Sequence, residues 1–164
     1  MDRFLFRHID NSPLIIFRII FGLLLFLESW GAIATGWVTK TMIEPTFTFT
    51  FIGFEFLQPL SGNGMYYYYI LMGIFGFFVM IGYRYRFAMI AFFLMWSATY
   101  LMQKTSYNNH YYLTALLSFL MIFQPAHTNY SIDVKRKPQT VSHSVPYWTS
   151  LILMLQIGLV YFYG

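Results

Sequence analysis

The run P-L-I-I-F-R-I-I-F-G-L-L-L-F-L-E-S-W-G, from Pro13 to Gly31, decides the fold class. At about 1.5 Å per residue, a helix of some twenty residues crosses a hydrocarbon layer of roughly 30 Å, and this run, continued to about Ala34, is long enough. Ser12 supplies an N-cap, and Pro13 suits the first helical turn. A charge at membrane depth faces protein or water, or snorkels to the interface. Arg18 and Glu28, ten positions apart, do not pair on one helix. Arg18 is open to two readings, snorkelling to the headgroups or a packing or site role, whereas Glu28 near the outer interface points more toward a site. A cleaved signal peptide, suggested by Arg3, Arg7 and the A-I-A of Ala32 to Ala34, fits less well with Arg18, Glu28 and Trp30 inside the run.

Composition agrees with a membrane protein. Of 164 residues, 58% are hydrophobic and 23% aromatic, and only 10% are charged, against about 25% charged in a soluble domain. The formal charge of +4 comes with no basic face or RNA-binding motif, so no nucleic-acid partner is expected. With no cysteine, disulfides, thiolate metal sites, iron-sulfur clusters and cysteine nucleophiles are excluded. No phosphate-cradling glycine loop or nucleophile elbow is present.

Four further apolar runs follow, about 65–83, 87–103, 107–124 and 147–164. The expected fold is therefore all-α: a polytopic helical membrane protein with about five transmembrane helices, in contact with membrane lipid, and one partly buried outer loop. That loop is Trp37 to Gly64, whose T-F-T-F-T-F at Thr46 to Phe51 alternates with the period of a strand. A short hairpin or partly buried segment capping the outer helix ends is expected, because an unpaired strand does not lie in lipid. Tyr66 to Tyr69 reads as an interfacial aromatic belt, and Gly73 and Gly76 lie close enough on one face to admit a neighbouring helix. Met1 to Asn11 is either an amphipathic segment against the headgroups or a solvated tail. Tyr83 to Arg86 turns the second span into the third. Counted only from Tyr111, the apolar part of the fourth run is about 13 residues or roughly 20 Å, so Asn108, Asn109 and His110 are expected in its first turn and a half.

Orientation follows from the basic residues. Arg3, Arg7, Arg84, Arg86, Lys135, Arg136 and Lys137 fall on one side, Lys40 and Lys104 on the other. The N-terminus is thus expected in the cytoplasm of a bacterial inner-membrane protein, with the connector and the stretch K-T-S-Y-N-N-H-Y-Y-L, Lys104 to Leu113, facing the periplasm or a lumen. For that reason no glycosylation is read from Asn129, Tyr130, Ser131.

Lys104 to Leu113 is the candidate site. His110 ionises near neutral pH and an asparagine amide both donates and accepts, so Asn109 and His110 together suit the orientation and polarisation of a carboxylate or an oxyanion. From spacing alone, the preferred reading is a helix-start histidine hydrogen-bonded to a neighbour. No metal is expected, since His8, His127 and His143 fall on the opposite side from His110.

The same stretch, with P-A-H at Pro125 to His127 and S-I-D at Ser131 to Asp133, resembles the vitamin K-dependent γ-glutamyl carboxylase family and its bacterial relatives with the horizontally transferred transmembrane domain. The resemblance takes in F-R-I-I-F-G at Phe17 to Gly22, Glu28, Leu57 to Met65, G-Y-R-Y-R at Gly82 to Arg86 and Q-I-G-L-V-Y-F-Y-G at Gln156 to Gly164. It implies an enzyme that oxidises vitamin K hydroquinone or a related quinol with oxygen, uses the resulting base to remove a γ-proton from a protein glutamate, and adds carbon dioxide. By resemblance, His110 and Asn109 are catalytic, with Asn108, Tyr107 and Glu28 supporting, and a glutamate-containing protein is a partner on the outer side. The family's catalytic lysine follows the V-Y-F-Y-G-like stretch by a few residues, and this sequence ends before it. The chain is therefore expected to be the N-terminal part of a longer protein, with the C-terminal part of its own chain as a further partner, and to be inactive by itself. The competing expectation is a non-catalytic membrane module that binds a quinone or lipid or assembles with other chains. A lysine and a β-rich outer domain beyond Gly164 in the genomic sequence favour the enzyme, and a stop codon there favours the module.

Overall fold

The computed structural model describes residues 2–106 and 108–163. Its helices are α1 (Asp2–Leu5), α2 (Ser12–Ala34), α3 (Gly64–Ile81), α4 (Tyr85–Met102), α5 (Asn109–Phe123), α6 (Ile132–Arg136) and α7 (Trp148–Tyr163). A two-stranded antiparallel ribbon pairs β1 (His8–Asp10) with β2 (Ser144–Pro146), Ile9 opposite Val145. The protein is all-α and membrane-like: α2, α3 and α4 are each long and apolar enough to cross a membrane. The apolar parts of α5 and α7, Asn109–Phe123 and Trp148–Phe162, are shorter.

Helix α2 packs most extensively on α3, and α4 lies against both α3 and α5. Glycines set the α2–α3 approach. A Cβ at Gly76 would stand 2.8 Å from the Phe26 backbone nitrogen, one at Gly22 would strike the Met80 backbone, and one at Gly73 would strike the Trp30 ring. The glycine pair read from the sequence thus has its partner, the first long helix.

One end of the bundle is tied by polar groups far apart in sequence. Arg18 is fully buried. Its Nη1 donates to the Ala126 carbonyl at 2.9 Å and the Asn129 carbonyl at 3.4 Å, and its Nη2 to the Tyr130 carbonyl at 2.7 Å. It packs the post-α5 segment rather than snorkelling. The α3–α4 turn uses Gly82 (φ 65°), where a Cβ would lie 2.9 Å from Arg18 Nη1, and Arg84 (φ 43°), a left-handed conformation unusual for a non-glycine residue. Asp133 holds that turn. Its carboxylate accepts from the Arg84 and Tyr85 N–H groups at 2.8 and 2.9 Å, and its own N–H donates to the Gly82 carbonyl at 3.0 Å. These bonds satisfy two of the donors that a helix N-terminus leaves orphaned.

Several local expectations are corrected. Asn11, not Ser12, is the residue that caps α2, and its side chain donates instead to Ser142 and Thr128. Residues 8–10, expected in a headgroup-bound or solvated lead, form the ribbon with β2. No hairpin forms at Thr46 to Phe51. Gln103 Oε1 accepts from Phe49 N–H at 3.1 Å, Phe51 N–H donates to the Leu101 carbonyl and Lys104 N–H to the Phe49 carbonyl, so the segment borrows its partners from the end of α4. Of the expected tyrosine belt, only Tyr67 is well exposed; Tyr69 is buried, Tyr68 donates to the Met95 carbonyl at 2.7 Å, and Tyr66 bonds Thr39.

Candidate functional site

Helix α5 begins at the N-N-H stretch because Asn108 is an extended capping residue whose Oδ1 accepts from the His110 N–H at 2.8 Å. Asn109 and His110 are the first two helical residues, so the cluster enters the helix by less than the turn and a half expected. The His110 carbonyl accepts from Thr114 Oγ1 at 2.9 Å, which steadies the first turn. Tyr107, a predicted supporting residue, lies outside the described residues.

Helices α2 and α5 bound a groove lined at its mouth by Glu28, Asn108 and His110, and below by Phe17, Ile20, Phe21, Leu24, Leu25, Leu113 and Leu117. The polar groups meet at one end of a long apolar trough. Asn109 is exposed and is absent from the groove lining. Beside the groove lies a more enclosed aromatic cleft whose free interior is about 20 Å³, room for a single water. Trp37, Tyr69, Trp96, Thr99, Tyr100, Gln103 and Tyr111 line it together with Glu28. Glu28 and Tyr111 therefore belong to both spaces, and the Tyr111 side chain interacts with the Glu28 carboxylate.

The aromatic wall is held by directed contacts. Trp96 Nε1 donates to the Tyr111 carbonyl at 3.0 Å, the Trp96 and Tyr111 rings meet edge to face at 5.3 Å, and Trp37 lies edge to face with Tyr111 at 6.1 Å. Gln103 closes the cavity while bonding Phe49 and the Thr41 carbonyl, so the connector that fails to form a hairpin still roofs this space.

Of the predicted residues, Glu28, Asn108 and His110 line one groove across 80 positions of sequence; Asn109, exposed like its two neighbours, does not line it. Sequence reasoning missed Tyr111, Trp96 and Trp37. The spacing of Trp96 and Tyr111, each facing the other from helices joined by a short turn, is the signal that marks them as one wall. Among the described residues no group of three or more histidine, aspartate or glutamate side chains is placed to hold a metal ion.

A family model described as the HTTM domain matches residues 6–164. No solved structure matches the chain.

Proposed function

Because the chain belongs to the HTTM domain family, a domain associated with vitamin K-dependent carboxylases, we propose that it supplies the quinol-binding part of a γ-glutamyl carboxylase-like membrane enzyme. The observation that carries this reading is the shared edge of groove and cavity at Glu28 and Tyr111. A prenylated naphthoquinol has an apolar tail and two phenolic hydroxyls, and the groove offers an apolar trough that ends in a carboxylate, an amide and an imidazole.

In this reading the tail lies along Phe17, Leu24 and Leu117, and the ring sits at the groove mouth beside Glu28 and Tyr111, against the edge of the aromatic wall. The Glu28 carboxylate accepts a phenolic hydrogen bond. Asn108, whose Oδ1 is engaged by the His110 N–H, has its amide NH₂ left to donate. His110 takes or gives a proton at the ring hydroxyl. Asn109, exposed at the same helix start, faces the aqueous approach of the substrate glutamate. When bound, the quinol supplies, through its oxidation by oxygen, the base strength that removes a γ-proton before carbon dioxide adds. The N-terminus is cytoplasmic in this reading and the site faces the periplasm.

The test uses the full-length protein in membranes, with quinol, oxygen and a glutamate peptide, and follows incorporation of labelled carbon dioxide. His110→Ala is expected to lower incorporation by about 10² or more, the scale of a lost general acid-base group, with membrane insertion unchanged. Wild-type-like turnover would remove His110 from the chemistry. Quinol binding by a wild-type protein that never incorporates carbon dioxide would instead indicate a non-catalytic quinone- or lipid-binding module.

A further inference from the structure

At the end of the bundle opposite His110, the α3–α4 turn and the segment after α5 enclose a separate pocket lined by Arg84, His127, Asp133, Arg136, Lys137 and Thr140. It shares no residue with the groove or the aromatic cavity. Three fixed positive charges line it against one carboxylate, and that carboxylate is already committed to the Arg84 and Tyr85 N–H groups. Among the described residues no hydrogen bond or ion pair engages the Arg84 guanidinium or the Lys137 ammonium, and Arg136 rests over the Tyr83 ring at 5.4 Å. Burial, and next the charge of Arg86, hold the His127 imidazole below its usual basicity, so at neutral pH the ring adds polarity and no further charge. The pocket is thus a concave surface of net charge +2 from these four ionised side chains, three positive and one negative, and its lining among the described residues holds no second carboxylate to offset the excess.

We propose that this pocket binds a phosphate group presented by an anionic lipid. Guanidinium groups offer paired donors matched to phosphate oxygens, and the ammonium of Lys137 adds a point charge. The lipid source follows from position. The pocket sits where α4, a helix of membrane-spanning length, begins, which is the level of the headgroups. Phe87, three residues beyond Arg84, and Phe123, four before His127, are more than half exposed and offer apolar surface for acyl chains.

The inference is independent of the quinol reading, and its test needs no turnover. Delipidated protein in detergent is titrated with phosphatidylglycerol and with phosphatidylcholine of the same acyl length, and bound lipid is counted by native mass spectrometry. Phosphatidylglycerol is expected to bind about tenfold or more tightly, on the scale of about 1 kcal/mol for each basic residue at an anionic headgroup. Arg84→Gln with Lys137→Gln is expected to erase that preference. Lys40→Gln with Lys104→Gln, which removes two cations from the other end, is expected to leave it intact. Equal binding of the two lipids, or an equal loss with the Lys40 and Lys104 pair, overturns the site. Displacement of the lipid by millimolar inorganic phosphate, itself dependent on Lys137, overturns the lipid source and keeps the phosphate site. Arg84 occupies a strained turn, so Lys137→Gln alone, at an exposed position, decides the question should the double variant not fold; a preference unchanged in that variant rejects the proposal.

Discussion

Arg18 shows how a single side chain sets a fold boundary. Its guanidinium donates to three carbonyls from residues 126–130, and none of these is near it in sequence. Replacing it with leucine leaves those carbonyls without their donor, and the one on Ala126 is buried, where an unsatisfied acceptor costs more than the bond was worth. Arg18→Leu is expected to destabilise the protein by about 1–3 kcal/mol, read as a lowered midpoint in detergent-based thermal unfolding. Arg18→Lys should recover little, because an ammonium does not span the fork of the guanidinium. A wild-type midpoint for Arg18→Leu would return this residue to a snorkelling role. The sequence left both readings open for a physical reason: the partners are backbone carbonyls, which carry no residue-type signal, and they lie more than 100 positions away.

Between elements, the α2–α3 contact rests on the absence of side chains. At Gly76 a Cβ meets the backbone of Leu25 and Phe26, which has nowhere to retreat, whereas at Gly31 on the same helix pair a Cβ meets nothing within 4 Å. Gly76→Ala is therefore expected to cost about 1–3 kcal/mol through overpacking. Gly31→Ala should be neutral or stabilising by roughly 0.5–1 kcal/mol through helix propensity. Unfolding midpoints of the two variants measured side by side check the contrast, and equal effects would mean that α2 and α3 are not in this contact. At this scale the sequence was most legible. Hydrophobic length located α2, α3 and α4, and the spacing of Gly73 and Gly76 announced a close neighbour. It misled where alternation was taken as pairing. Thr46 to Phe51 has strand periodicity, but its backbone finds partners in residues 101–104, and periodicity does not identify a partner. The four tyrosines misled similarly, because an aromatic run at a helix start looks the same whether it faces lipid or a neighbouring helix. The polar half of the candidate site was visible as N-N-H, while its aromatic half depends on how α4 and α5 face each other.

Across the whole molecule the basic residues divide between two ends, and the polar knot around Arg18 and Asp133 lies at the richer one. With the positive end inside, a reporter fused after Lys137 is expected to report a cytoplasmic location, and one inserted near Gly62 an outer location. The reverse pattern would invert the orientation and move the His110 groove to the cytoplasmic leaflet. The ribbon of His8–Asp10 with Ser144–Pro146, together with the hold of Arg18 on residues 126–130, carries a consequence for the order of biosynthesis. The first long helix leaves the ribosome with a cation whose partners have yet to be translated, so it cannot adopt its final seat when it first reaches the bilayer. Assembly at that end waits for the fourth apolar helix and the link behind it, and the earliest segment made is among the last to be locked.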